Sequence, residues 1–264
     1  MPILVPVSAH SQPTWPERLF LVRHGESAGN VARDAAEAAG VPLIEISGRD
    51  VDVPLSELGQ RQAKALGRWY AAQPENERPS VVLSSPYARA VQTAALIVEN
   101  ANLHHAGVAR VVDERLREKE FGALNRLTKA GIRAKHPEEW ERRSELGKFY
   151  YRPPGGESWC DVILRLRSVV DHVQLQYRGE RVLIVSHQVV VLCFRYLLER
   201  MTEEQILAID REKDVANCSI TAYTSAHDDA GRHELALHTY NFVAPLEDAG
   251  APVTEEPDAP VAAR

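Results

Sequence analysis

Three short apolar runs in this chain end alike. Leu19 to Val22 runs into Arg23, His24, Gly25, Glu26 and Ser27; Val81 to Ser84 runs into Ser85, Pro86 and then Arg89; Val182 to Val185 runs into Ser186, His187 and Gln188. Each run reads as a buried strand, and each cationic or imidazole residue stands where the next helix would begin. In an open α/β sheet, ligands bind outside the carboxyl ends of the strands, where helix N-termini also offer free N–H groups to anions. Taken singly, an arginine on a first helical turn or a histidine after a strand is more often a solvated surface residue. Two histidines and two arginines at three equivalent positions point instead to one phosphate held where three strand ends converge. At the first junction Gly25 would let the backbone approach that anion, and an imidazole beside a guanidinium is biased towards its neutral, nucleophilic form.

The segments between the runs carry helical periodicity. Leu58, Leu66, Trp69 and Tyr70 form one apolar face after a Ser56 cap. Trp159, Val162, Ile163, Leu166, Val170 and Val173 form another after Ser158, which makes a capping box with Asp161. With a fourth strand over Ser219 to Thr224, the alternation predicts an α/β fold with a mainly parallel central sheet. Residues 1–16 are rich in proline and 245–264 in alanine, proline and acidic residues, so both read as flexible tails around one domain over 17–244.

The 264 residues, 44% hydrophobic and 26% charged, suit one sizeable core and exclude collagen, coiled coil and disorder. With 31 basic against 37 acidic residues the net charge is −6, so no attraction to nucleic acid or anionic membrane is expected. Cys160, Cys193 and Cys218 are scattered, which implies neither a disulfide framework nor a zinc site and fits a reducing cytoplasm. No apolar run is long enough to span a bilayer, and no metal or other cofactor is expected.

The stretch Leu21 to Ser27 with Asn30 closely resembles the signature of the histidine phosphatase superfamily, the phosphoglycerate mutase-like proteins. Ser84 to Ala94 resembles that family's second block, Leu116 to Gly122 its third, Gly155 to Ser158 its fourth and Val185 to His187 its fifth; Asp52 to Ser56 with Gly59 and Gln62 is a further match. The resemblance implies a three-layer α/β/α sandwich. It makes His24 the nucleophile that takes the phosphoryl group, with Arg23, Asn30, Arg89 and His187 around the phosphoryl oxygens and Glu118 as the acid that protonates the leaving oxygen. Such a site fits the chemistry, because a phosphoryl transition state spreads negative charge over its equatorial oxygens and is stabilised by positioned cations and N–H donors. Glu118 lies in a charge run, Asp113 to Glu120, that would ordinarily be a solvated face; only its register in the motif selects it over Glu114 and Glu120.

Mutases of this superfamily carry a long insertion between the third and fourth blocks, whereas the stretch from Gly122 to Gly155 is short here and resembles the phosphatase arrangement. Lys135 to Trp140, Lys148 to Arg152, and Gln188 directly after His187 are also similar to the fructose-2,6-bisphosphatase branch, which implies sugar-phosphate contacts from Lys148, Arg152 and Gln188. Two departures blur that likeness: Leu192 stands where the branch has arginine and Lys129 where it has tyrosine. The resemblance therefore implies a metal-independent phosphatase acting through a phosphohistidine on a small phosphorylated metabolite, a sugar or polyol phosphate. Mutase-type transfer and a catalytically silent phospholigand binder are the alternatives, and a homodimer is left open. The segment from Asn30 to Asp52 is longer than usual in the family; its alanine-rich start, Ala32 to Ala39, reads as a short helix, and the segment either as a wall or lid of the substrate pocket or as a solvent-exposed excursion without catalytic consequence.

Overall fold

The computed structural model describes residues 14–227 and 233–255. In chain order they form β1 (Arg18–Arg23), α1 (Ala28–Ala38), α2 (Glu57–Ala72), β2 (Val81–Ser84), α3 (Ala88–Asn100), β3 (Ala109–Val112), α4 (Lys129–Lys135) and α5 (Pro137–Tyr150). There follow α6 (Trp159–Gln176), β4 (Arg181–Ser186), α7 (Gln188–Leu198), α8 (Glu203–Glu212), β5 (Ile220–His227), β6 (His233–Phe242) and α9 (Ala244–Asp248). The strands lie in one sheet in the order β3-β2-β4-β1-β5-β6. The first four run parallel, while β5 is antiparallel to both β1 and β6.

Side chains alternate across the sheet, so the central strands feed two cores. Leu19, Leu21, Val81, Leu83, Val182 and Ile184 pack on one face with α6 and α7; Phe20, Val22, Val82, Leu183 and Val185 pack on the other with α2 and α3. This is a three-layer α/β/α sandwich. Burial on both faces explains why the central strands read as unbroken apolar runs. The edge strand β3 is solvent-exposed along its length and carries no such run, so its sequence gives no comparable signal. The expected caps are present: Ser56 accepts from the Gly59 N–H, and Ser158 and Asp161 form their capping box. None of the helices among the described residues is long and apolar enough to cross a membrane.

The expected tails need correction at their inner ends. Residues 1–13 and 256–264 lie outside the described residues. Trp15, however, packs on the α6 core and donates from Nε1 to the His233 carbonyl at 3.0 Å. Beyond the expected boundary at 244, Leu246 is buried in the α2–α3 core beside Ala251. The Gln62 amide donates to the Pro252 carbonyl at 2.9 Å and to Thr254 Oγ1 at 3.0 Å, and the Asn217 N–H reaches the Thr254 carbonyl at 2.9 Å. A segment poor in apolar side chains is held here by two well-placed ones and by hydrogen bonds to backbone, which composition does not register.

Candidate active site

The sheet register brings the three junctions together. Arg23 of β1 lies opposite Ser186 of β4, and Ser84 of β2 opposite Val185. The pairing continues past the strands: the His24 N–H donates to the Ser186 carbonyl at 2.9 Å and the Ser85 N–H to the Val185 carbonyl at 3.0 Å. His24, Ser85 and His187 are thereby held side by side at the carboxyl edge, with the two imidazole rings 5.1 Å apart.

The His24 ring is buried, and its Nδ1 lies 2.7 Å from the Gly25 carbonyl. A carbonyl only accepts, so Nδ1 carries the hydrogen and Nε2 keeps the lone pair. Arg89, on the first turn of α3, donates from Nε to that Nε2 at 3.2 Å. Arg23 is buried with Nη1 donating to the Val215 carbonyl at 2.6 Å, and Asn217 anchors the loop by donating to the His24 carbonyl at 2.9 Å. Asn30 lies one turn into α1, where its Oδ1 accepts from the Ser27 N–H at 2.9 Å; it lines the adjoining cleft. Gly25 serves a different purpose from the close approach to an anion that the sequence suggests. A Cβ there would stand 2.5 Å from the Gly59 carbonyl, so its role is to let the catalytic loop pack on the start of α2.

Glu118 lines the same cleft as Asn30 and Arg89. It is buried, while Glu114 is exposed and Glu120 half-buried. Its Oε1 accepts from the Lys119 N–H at 2.7 Å, and its Oε2 lies 3.4 Å from His187 Nδ1. His187 Nε2 is in turn 2.8 Å from Ser85 Oγ. Glu157 braces the loop that carries Glu118: it pairs with Arg165 at 2.9 Å and Arg117 at 2.8 Å and accepts from the Glu120 N–H at 3.0 Å. Burial alone would raise its pKa, but these partners, Arg165 above all, hold it below the ordinary value. Tyr87 packs under both Arg89 and His187; burial pushes its phenol up, with Asp50, Glu118 and Glu120 adding to the effect.

The cleft opens beside Arg89, lined also by Asn30, Arg33, Ile44, Ile46, Asp50, Glu118, Phe121 and Arg126 among others. Four of these come from the segment after Asn30, so the long excursion does form one wall. It is zipped to the segment after Glu118: the Ile44 N–H donates to the Arg126 carbonyl at 2.9 Å, the Thr128 N–H to the Pro42 carbonyl at 3.1 Å, and Arg126 Nη1 to the Ile46 carbonyl at 3.1 Å.

The three residues expected to contact the leaving group are each held by a carboxylate. Arg152 is an exposed partner of Asp161 at the start of α6 and does not line the cleft; the capping carboxylate attracts it. Lys148 is paired with Asp210, and Gln188 donates to Asp214 at 2.7 Å. Instead, Lys119 and Arg143 line a small adjoining cavity with Phe121, Trp140 and Tyr151. Lys119 lies 4.3 Å from the Phe121 ring, and its pKa is brought down to about 8, first by burial and then by Arg143. Burial likewise lowers Arg143. Among the described residues no carboxylate pairs with either cation. Sequence gave no reason to select Lys119 from its charge run, whereas Arg33, one turn after Asn30 on the same helix, could have been found from spacing. Among the described residues no group of three or more His, Cys, Asp or Glu is placed to hold a metal ion.

Residues 19–236 match the profile of the Histidine phosphatase superfamily (branch 1). The chain belongs to that family. It is 31% identical over 201 residues to the 2,3-bisphosphoglycerate-dependent phosphoglycerate mutase of Allorhizobium ampelinum, covering 73% of this chain and 84% of that one. It is also 32% identical over 190 residues to 6-phosphofructo-2-kinase/fructose-2,6-bisphosphatase 3 of Rattus norvegicus, covering 72% of this chain but only 29% of that larger protein. Among solved structures it is similar to mycobacterial glucosyl-3-phosphoglycerate phosphatase with a TM-score of 0.65, 27% identity and coverage of 86% and 100% of the two chains. Bacillus stearothermophilus YhfR gives 0.66, 26%, 87% and 98%. By family and fold this is an enzyme of the histidine phosphatase class.

Proposed function

We propose that this histidine phosphatase is a metal-independent phosphomonoesterase that hydrolyses a small phosphorylated metabolite, a sugar or polyol phosphate, in the cytoplasm. The observation that carries the reading is the lone pair held on His24 Nε2, next to Arg89, at a cleft that the acid Glu118 also lines. In the first step Nε2 attacks phosphorus, the ester P–O bond breaks, and Glu118 gives its proton to the departing oxygen. Arg23, Arg89 and His187 stabilise the charge that grows on the equatorial oxygens. In the second step Glu118 takes a proton from water, which attacks the phosphohistidine and releases inorganic phosphate. A neighbouring dianionic phosphate favours the protonated carboxyl that the first step needs.

The leaving group lies in the cleft between the excursion and Phe121. A second anionic group on it reaches Lys119 and Arg143, two cations that form no salt bridge among the described residues. The mutase reading stays in view because relatives of both classes are equally similar to this chain. A panel of phosphorylated sugars, polyols and sugar acids decides between them, with p-nitrophenyl phosphate as reference and with and without a bisphosphoglycerate primer. Release of inorganic phosphate, unaffected by EDTA, is the expected result. Primer-dependent isomerisation without phosphate release would establish the mutase, and binding without turnover the silent relative.

A further inference from the structure

The excursion after α1 delivers a carboxylate to the phosphoryl site. Asp50 opens the short helical turn Asp50–Asp52 and lines the cleft beside Arg89. Arg89 Nη1 donates to the Asp50 backbone carbonyl at 2.9 Å, and the guanidinium also faces both side-chain oxygens, each at 3.3 Å. The two contacts do different things. The shorter backbone bond orients Arg89 whatever side chain residue 50 carries. The carboxylate contributes longer contacts from a side chain 31% exposed, so what it mainly adds is negative charge next to the phosphoryl group.

We propose that the Asp50 side chain is a specificity-determining residue, a carboxylate that shares Arg89 with the substrate phosphoryl group and disfavours any second anion placed close to it. This rests on the phosphatase reading above. With Arg33 and Arg89 lining one cleft, phosphate would otherwise be held tightly and leave slowly as product. Asp50 offsets part of that attraction, and on binding its carboxylate yields Arg89 donors to the phosphoryl oxygens. The same charge divides the cleft: near the phosphorus an α-carboxylate or vicinal phosphate meets Asp50, whereas a more distant anion meets Lys119 and Arg143. Phosphomonoesters with their second anion remote from the ester are the class favoured.

Asp50→Asn keeps the backbone carbonyl and nearly the same shape. Calorimetric titration with inorganic phosphate should give a Kd about tenfold lower in Asp50→Asn than in the wild type, with Asp50→Ala shifted the same way. The kcat/KM ratio of 2-phosphoglycolate to p-nitrophenyl phosphate should rise severalfold. An unchanged or weaker phosphate Kd in a variant with wild-type melting temperature would overturn the proposal and leave Asp50 as a support for Arg89. Arg89→Ala is the separate control: if the wild type binds no phosphate, or Arg89→Ala binds it equally well, the phosphate-site reading itself falls.

Discussion

The two ends of the cleft are built in different ways. At the phosphoryl end, His24, Arg89 and His187 sit just beyond β1, β2 and β4, three adjacent parallel strands whose hydrogen-bond register fixes their spacing. At the leaving-group end, Ile44, Ile46, Phe121 and Arg126 come from irregular segments that hold one another. A site on rigid elements can keep one chemistry while loops around it change what is accepted. The side chains at the strand ends should therefore govern whether the enzyme turns over, and the irregular segments, Asp50 among them, which substrate it prefers.

The strongest challenge to that division is His24→Ala, for which turnover of every phosphomonoester should fall by more than about 10⁴-fold. Rapid quenching of the wild type with labelled substrate should trap an acid-labile, alkali-stable phosphoenzyme; label on serine or aspartate would remove His24 from its role. Next in size, Glu118→Gln should slow alkyl phosphates by about 10² to 10⁴ while affecting p-nitrophenyl phosphate far less, since an activated phenol leaves without an acid. Equal losses on both substrates would contradict the acid assignment, and a larger loss in Glu120→Gln would shift the register.

At the leaving-group end the effects should be smaller and selective. Lys119 has its pKa lowered to about 8, so its charge is present below that pH and lost above it. KM for a substrate with a remote second anion should rise by about tenfold between pH 7 and 9 relative to p-nitrophenyl phosphate, and Lys119→Met should abolish the difference. A bound anion will move the transition upward, so equal pH profiles for free enzyme and complex would count against direct contact. Arg126→Ala, which frees the Ile46 and Gly48 carbonyls, should loosen the wall and raise KM about threefold for sugar phosphates, with little change on the aryl ester. If the aryl ester suffers equally, the wall also supports the catalytic loop, and the division between the two ends is too sharp.

What could be read in the chain follows the same line. Val182 to Val185 declares a buried strand because both faces of β4 are covered, and His187 inherits its position from that strand. Ser158 with Asp161 declares a helix start because a cap is a local hydrogen-bond pattern. Glu118 was legible through motif register, although its charged surroundings pointed to solvent. The leaving-group end was not legible in the same way: the length of the excursion suggested a wall, but Lys148, Arg152 and Gln188 proved to be engaged with Asp210, Asp161 and Asp214.

The α/β layering and the side chains at the strand ends are written locally, because strand periodicity, helix caps and the order of blocks are short-range properties. That Asp50 meets Arg89, that Arg126 meets Ile46, and that Lys119 and Arg143 share a cavity emerge only in the folded chain. These contacts join segments far apart in the chain, and their partners are set by how loops close over the finished sheet. No local periodicity encodes that closure, so a charged side chain in such a loop looks the same in sequence whether it ends in solvent, in an ion pair or against a substrate.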